Sequence, residues 1–220
     1  MNINGQLTGV ELAYQNNSQS AHWSRFFIRG DISLHWGTTR YDGGLQDAEG
    51  NSTPYQSDSK EFISIFRGLG GAHVYQGRIS RLSLYGGFGT WGLINRTQGL
   101  GSYEREATYN YLPWGFGFET LGAAKNLALV MTAEYNYFLS GQTISHLEDA
   151  NPNLPTIKHK QKDGSGFKIT VGTHYFLSSI TLLTQIYHQA WDIEKSDVVS
   201  GFIEPKNTTK MSGLSVGVLF

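Results

Sequence analysis

The sequence predicts an all-β protein: an antiparallel, up-and-down transmembrane β-barrel of eight to ten strands that occupies residues 1–220 as a single domain. Three observations predict it. Apolar and polar side chains alternate with a period of two along nearly the whole chain, several alternating segments are much longer than ordinary strands, and long polar connections alternate with tight ones. Helical periodicity is almost absent.

Composition excludes several other classes of protein. The chain has a formal net charge of −1 and 16% charged residues, which predicts neither a disordered tail nor a surface for nucleic acid. It has no cysteine, so disulfides, thiolate metal sites and cysteine nucleophiles are excluded. No apolar run reaches about 18 residues, so no membrane-spanning helix is predicted. Residues 1–5 lack the features of a secretory signal, which leaves a cytoplasmic chain and a mature form without its signal as alternatives.

The segment 25–41 shows the alternation best. Its apolar parity is Phe26, Ile28, Gly30, Ile32, Leu34 and Trp36, and its opposite parity is Arg25, Phe27, Arg29, Asp31, Ser33 and His35. Successive side chains of a strand point to opposite faces, so one face of this strand is apolar. The same split recurs at 9–15, 81–88, 114–119, 127–136, 167–175 and 214–220.

Strand length and the character of the polar face favour a membrane barrel over a soluble one. The segments 24–41 and 78–95 far exceed the usual strand of about five or six residues, whereas a strand that crosses a bilayer needs about ten. The polar face is rich in Gly, Ser, Thr and Tyr with single charges, which suits a packed polar interior better than a surface. The apolar faces are therefore predicted to point outward to lipid.

Nine segments are predicted as strands: 6–15, 24–41, 60–75, 78–95, 106–121, 127–143, 165–178, 180–195 and 211–220. Bacterial single-chain barrels have even strand numbers. Two alternatives therefore remain: eight strands with 6–15 placed separately, or a tenth strand before residue 6.

The connections sort into two kinds. Four are long and polar, at 43–59, 97–105, 144–163 and 197–210, and they alternate with tight ones at Gln76-Gly77, Gly122–Asn126 and Ser178-Ser179. This asymmetry is typical of outer-membrane barrels, which have short periplasmic turns and long extracellular loops. The outward aromatics form two girdles, with Trp36, Phe62, Trp114 and Tyr137 toward the loops and Tyr14, Phe26, Tyr175 and Phe220 toward the turns.

The last strand, residues 213–220, has apolar residues at alternate positions and ends on Phe220. In this it resembles the terminal signal of bacterial outer-membrane β-barrel proteins. The resemblance implies a place in the bacterial outer membrane, surrounded by lipid and lipopolysaccharide, and recognition of Phe220 by the barrel assembly machinery. We also expect the protein to be a monomer.

The charged side chains of the inward parity are the candidate functional residues. Those assigned to the lumen, meaning the barrel interior, are Glu11, Arg29, Asp31, His35, Arg67, Arg81, Glu134, Lys168 and His174, with Glu61 and Glu119 on the same parity. Barrels of about eight strands are just wide enough to be filled by side chains, which favours mutually paired charges that plug the lumen. The alternative is a narrow conduit or pocket in which Arg29, Arg67, Asp31 and Glu134 select solutes.

No catalytic residue, metal site or cofactor is predicted. His22-Trp23-Ser24 is similar to the H-x-S motif of lipid A deacylase barrels, but it lies at the turn end and Arg25 replaces the family's Asn. An omptin-like protease would draw on Asp47, Glu49, His146, Glu148, Asp149 and His159, whose spacing does not differ from that of solvated loop charges. Asp47, Glu49 and Asp58 offer at most a loose cation site.

The function that this sequence favours is surface interaction or adhesion through the long loops, which are rich in Asn, Ser, Gly and Asp and suited to an extracellular ligand. A narrow channel for small polar solutes is the first alternative. A lipid-modifying enzyme of the lipid A deacylase kind is the second.

Overall fold

The computed structural model describes residues 2–17, 26–46, 52–99, 101–120 and 126–220. Its strands are β1 (Asn2–Asn17), β2 (Phe26–Gln46), β3 (Ser52–Gln76), β4 (Ser80–Thr97), β5 (Glu104–Thr120), β6 (Leu127–His146), β7 (Thr156–Gln161), β8 (Gly164–Phe176), β9 (Thr181–Ile193) and β10 (Asn207–Leu219). One turn of 3-10 helix, Leu147–Asp149, precedes β7. None of the described helical residues forms a segment long and apolar enough to cross a bilayer.

These strands form one closed barrel. Both β7 and β8 pair with β6, one after the other along its length, so together they act as a single barrel strand and the circumference holds nine. The predicted all-β barrel and the nine predicted segments are confirmed.

The closing pair corrects the predicted topology. Strand β1 pairs with β2 on one side and with β10 on the other, and the β1–β10 pair is parallel, with Val10 opposite Val216 and Leu12 opposite Val218. The expectation of a wholly antiparallel barrel is wrong at this one pair. The two even-numbered alternatives are also wrong, because both sides of β1 are occupied. Hairpin connections reverse direction at every step, so an odd number of strands brings the first and last strands together in parallel.

The barrel has two unlike ends. We call the end that holds residues 98–99, 101–103, 147–155 and 194–206 the loop end, and the end that holds the short connections 77–79 and 177–180 the turn end. The predicted loop 43–59 is largely paired strand, because β2 and β3 continue together as far as Gln46 and Ser52. The predicted turn Gly122–Asn126 and the motif His22-Trp23-Ser24 lie outside the described residues, apart from Asn126.

Apolar side chains cover the outside of the barrel. Ile28, near the start of β2, is 73% exposed, and Ile186, in the middle of β9, is 67% exposed. Comparable outward residues on the other strands are Leu12, Phe66, Leu84, Phe88, Phe116, Leu129, Met131, Ile169, Val171, Leu214 and Val216. The eight aromatics predicted to face outward are all exposed: Tyr14, Phe26, Trp36, Phe62, Trp114, Tyr137, Tyr175 and Phe220.

The interior is divided into two halves of different chemistry. Its loop half is filled by an apolar cluster, which we call the aromatic cluster: Leu7, Ile63, Ile65, Trp91, Leu93, Ala107, Tyr109, Tyr111, Phe138, Tyr187, Trp191, Ile193 and Met211. Its turn half holds most of the charged side chains assigned to the lumen, and further buried charges, Glu61, Arg105 and Glu204, lie toward the loop end. The sequence predicted a polar interior throughout, and this is wrong for the aromatic cluster. Where β3 and β4 contribute to the aromatic cluster, apolar residues occupy both faces of each strand. The alternation is therefore weak, and it does not identify the inward apolar residues.

Candidate functional site

Five charged side chains form a continuous chain of ion pairs across the lumen. Arg29 donates from Nη2 to Oε1 of Glu11 at 2.8 Å and from Nε to Oδ1 of Asp31 at 2.5 Å. Arg67 donates from Nη2 to Oδ2 of Asp31 at 2.7 Å and from Nη1 to Oε2 of Glu134 at 3.0 Å. We call Glu11, Arg29, Asp31, Arg67 and Glu134 the ion chain.

The fold explains why these five groups meet. Arg29 and Asp31 are two residues apart on β2, so both side chains point inward. Arg67 lies directly opposite Asp31 on β3. Glu134 is on β6, which does not pair with β3, so the contact from Arg67 to Glu134 crosses the barrel interior. The ion chain therefore ties opposite walls of the barrel together.

A second charged group lies nearer the turn end. Glu119 accepts hydrogen bonds from Arg81, its cross-strand neighbour on β4, and contacts Nδ1 of His174 at 2.9 Å. Close by, Nδ1 of His73 lies 2.8 Å from Oγ of Ser83.

A cavity of about 110 Å³ lies between the two charged groups. Lys168, Thr170 and Glu134 line its polar side, and Phe27 and Leu69 line its apolar side. It shares Gln15, Arg81, Glu119 and His174 with a vestibule of about 360 Å³ that lies at the turn end. Toward the loop end the aromatic cluster closes the interior. The cavity is therefore open at one end only.

The aromatic cluster is dense. The rings of Trp91 and Tyr109 stack with centroids 4.9 Å apart, and the Trp191 ring meets that of Tyr111 edge-on at 5.0 Å. Trp91 is 0% exposed, and the other three are each 1% exposed. A water-filled pore leaves its lining side chains accessible to water, so the described interior holds no open pore at this level.

All nine residues that the sequence assigns to the lumen point into the barrel. Glu11, Asp31, His35, Glu134 and Lys168 are buried, and Arg29, Arg67, Arg81 and His174 are half-buried. His35 stands apart from the ion chain: its Nδ1 lies 3.1 Å from the Tyr187 hydroxyl, at the border of the aromatic cluster. Glu61, in the loop half, accepts a hydrogen bond from Thr39 at 2.7 Å.

Sequence reasoning missed a third buried network beneath the loop 194–206. Arg105 on β5 pairs with Glu204, and both are buried. Ser196 accepts a hydrogen bond from the Glu204 amide at 2.9 Å and lies 3.1 Å from Nδ1 of His159. Because the Ser196 hydroxyl donates to the Asp197 carbonyl at 2.8 Å, its proton does not go to His159, and the pair anchors the loop rather than forming a nucleophile. Arg105 and Glu204 are 99 positions apart, and no spacing links them.

The protease candidates do not assemble into one site among the described residues. His159 is buried against Ser196, Asp149 accepts a hydrogen bond from the Glu104 amide at 3.0 Å, and Asp47 and Glu49 lie outside the described residues. Of these candidates, His146 and Glu148 do contact each other, and His146 also contacts Glu106, each at 3.2 Å. The hydrogen bond to Glu148, followed by that to Glu106, raises the pKa of His146 above its ordinary value.

One cluster of possible metal ligands was not predicted. Carboxylate oxygens of Glu104 and Glu106 and a ring nitrogen of His146 all lie within 4.8 Å of one another. Glu104 also pairs with Arg96, so one of these carboxylates already has a cationic partner. Asp58, from the predicted loose cation set, lies on β3 opposite Arg40.

The last residue is held by the parallel seam. The Phe220 amide donates to the Ala13 carbonyl at 3.1 Å, and the Phe220 carbonyl accepts from the Gln15 amide at 3.1 Å. Backbone hydrogen bonds thus extend the closing pair to the last residue of the chain at the turn end. No protein-family model and no curated protein sequence matches this chain.

Proposed function

We propose that this protein spans the outer membrane of a bacterium as a sealed barrel and acts by surface interaction through its loop end. The observation that carries the proposal is the outward apolar belt, which runs over every strand except the short β7 and encloses an interior that the aromatic cluster closes. A folded monomer in water rarely exposes an apolar patch larger than a few hundred square ångströms. A complete belt requires an apolar environment.

The height of the belt supports a bilayer. On β2 the outward apolar residues run from Phe26 to Trp36, and Thr38 and Arg40 follow on the same face. At about 3.3 Å per residue and a tilt of about 40°, that stretch spans about 25 Å, which equals the apolar band of membrane barrels. In this arrangement the turn end is periplasmic, and lipid and lipopolysaccharide surround the belt.

The sealed interior favours surface interaction over the alternative of a narrow channel. Trp91 and Trp191 close the loop half, and the ion chain crosses the lumen below them. We expect no steps of ionic conductance when the purified barrel is inserted into planar lipid bilayers. Steady, reproducible openings of the unaltered protein would favour the channel instead.

The loop end has an ordered surface for contact with a partner. Residues 194–206 include a tight turn in which Val199 and Phe202 exchange two backbone hydrogen bonds, of 2.8 and 2.9 Å, around Ser200 (φ 52°) and Gly201 (φ 84°). This turn exposes Val198 by 66% and Ile203 by 46%. The Arg105–Glu204 pair and Ser196 hold it from below. An apolar tip on an anchored loop loses little entropy on binding, which favours interaction.

To test the loop surface, the barrel is placed in lipid nanodiscs, and its binding to immobilised fibronectin, laminin and collagen is measured. We expect measurable binding to at least one of these matrix proteins, and a loss of at least tenfold in affinity for the double substitution Val198→Ser, Ile203→Ser. The matched control is Ile79→Ser, which removes an exposed apolar residue at the turn end and leaves binding unchanged. Absence of binding to all three, or an equal loss in the control, would count against the proposal.

The predicted assembly signal fits the same proposal. Phe220 is 56% exposed on the outside of the turn end, where the barrel assembly machinery of the periplasm has access to it. Deleting Phe220 is expected to lower the amount of folded barrel in outer-membrane fractions. The folded form is distinguished by its faster migration on gels of unboiled samples.

A further inference from the structure

Lys168 is a buried cation that lines the cavity. It lies on β8, is 8% exposed, and has no hydrogen bond or ion pair with any described residue. Its closest aromatic neighbour is Tyr187, with Nζ 5.7 Å from the ring centroid. Buried charges are normally paired, so an ammonium group that faces a cavity without an acceptor indicates a site for one.

The neighbouring carboxylates are already engaged. Both oxygens of Asp31 and both oxygens of Glu134 accept hydrogen bonds from arginine, and Glu11 accepts one from Arg29. Arg29, Arg67 and Arg81 each have a carboxylate within 3.0 Å. Among the described residues that line the cavity, Lys168 is thus the one lysine or arginine without such a partner.

The walls of the cavity set the size and polarity of a ligand. Lys168 and Thr170 on β8 and Val130 on the neighbouring β6 line one wall, whereas Phe27 and Leu69 present hydrocarbon from β2 and β3. An apolar cavity of about 150 Å³ accommodates benzene, so the 110 Å³ here suits a molecule of about five non-hydrogen atoms. Such a molecule has an anionic head for Lys168 and a short apolar tail.

We propose that the cavity binds a small monocarboxylate, which enters through the vestibule at the turn end and places its carboxylate against Nζ of Lys168. The bond is charge-assisted and formed away from bulk water, where it is stronger than at a surface. The ligand reaches the site from the turn end only, because the aromatic cluster closes the other side. The site belongs to the lumen and does not depend on the loop surface proposed above.

The experiment follows the Lys168 ammonium group directly. The barrel is labelled with 15N-lysine, folded in detergent micelles and titrated with propionate, and the Lys168 signal is identified by its absence in Lys168→Met. We expect that signal to shift to saturation with a dissociation constant on the order of 1 mM, as befits so small a ligand. Propionamide, a neutral molecule of the same size, is expected to bind at least tenfold more weakly.

Two further variants control the experiment. Lys160→Met removes an exposed lysine of β7 and is expected to leave the titration unchanged. Val130→Phe fills part of the cavity with a larger side chain while keeping Lys168, so the signal is expected to remain and its response to propionate to disappear. If Lys168→Met does not fold, Val130→Phe still tests whether propionate binds in the cavity. No saturable shift, an equal response to propionamide, or an unaltered response in Val130→Phe would overturn the proposal.

Discussion

Arg67 joins two walls of the barrel that do not pair with each other. Its guanidinium group bridges Asp31 on β2 and Glu134 on β6, and all three side chains are at most 8% exposed. Removing the arginine leaves the buried Glu134 without its arginine partner and leaves Asp31 with Arg29 alone, and breaking such a buried pair costs about 3–5 kcal/mol. We expect Arg67→Met to lower the free energy of unfolding by that amount, measured by urea titration in lipid vesicles.

The control for Arg67 is Arg96, whose side chain is 66% exposed and pairs with Glu104 near the loop end. An exposed pair contributes about 0–1 kcal/mol. Arg96→Met is therefore expected to change the unfolding free energy only within that range. Equal losses in the two variants would mean that the ion chain has no special role in stability.

His146 provides a test of electrostatics at the loop end. The hydrogen bonds that the imidazolium donates to Glu148 and then to Glu106 favour the charged ring, so the pKa of His146 is raised in the folded protein. A raised pKa means that this stabilisation is fully present below the unfolded value of about 6.5 and is lost as pH rises through the folded value. We expect an NMR titration to place the pKa of His146 above about 6.5.

Substitution of the two partners tests the cause of that shift. Glu148→Gln is expected to lower the pKa of His146 more than Glu106→Gln does, since the Glu148 hydrogen bond has the larger effect. If both variants titrated like the unaltered protein, the contacts at 3.2 Å would not be the source of the raised pKa.

Among elements, the parallel pairing of β1 with β10 is the feature most open to test. In a parallel pair, partners keep a constant difference in residue number, whereas in an antiparallel pair they keep a constant sum. Val10 lies opposite Val216, and Leu12 lies opposite Val218. Because the chain has no cysteine, cysteine pairs placed at these positions report the register without interference.

We expect the pairs Val10→Cys with Val216→Cys, and Leu12→Cys with Val218→Cys, to cross-link readily with a short bifunctional maleimide. The pair Leu12→Cys with Leu214→Cys is the control. These two residues would face each other only if β1 and β10 were antiparallel, with Val10 still opposite Val216. Preferential cross-linking of that control pair would show that the barrel closes in another way. Gel mobility under denaturing conditions reports the outcome.

The hairpin of β2 and β3 is longer than the alternation of apolar residues predicts. The sequence predicted strands at 24–41 and 60–75, whereas the pair extends to Gln46 and Ser52. The additional rungs join polar residues, such as Arg40 opposite Asp58. Backbone hydrogen bonds form whatever the side chains are, so pairing continues beyond the point where apolar alternation stops.

For the whole molecule, the belt makes a prediction that separates a membrane barrel from a soluble one. Met131 is 50% exposed on β6 within the belt, and Gln142 is an exposed residue on the same strand toward the loop end. An arginine at the bilayer midplane of a barrel costs about 2–4 kcal/mol, and near the interface about 0–1 kcal/mol. We therefore expect Met131→Arg to lower the free energy of unfolding by about 2–4 kcal/mol and Gln142→Arg by about 0–1 kcal/mol, both measured in lipid vesicles.

A soluble barrel would behave differently. Its outer face would already be in water, so Met131→Arg would cost no more than Gln142→Arg, and both variants would stay dispersed without detergent. That result would remove the basis of the proposed membrane location.

The sequence by itself determined the class of fold and the parity of each strand. Alternation is a local property of neighbouring residues, so it predicts that Arg29 and Asp31 point inward and Ile28 outward without knowledge of the rest of the chain. Partners across the lumen are not local. Three contacts exist only because the barrel closes: Arg67 with Glu134, Trp91 with Tyr109, and Arg105 with Glu204 of the loop 194–206. Closure around nine strands also decided that β1 and β10 run parallel, since the direction of the last strand depends on the number of strands between them and not on its residues.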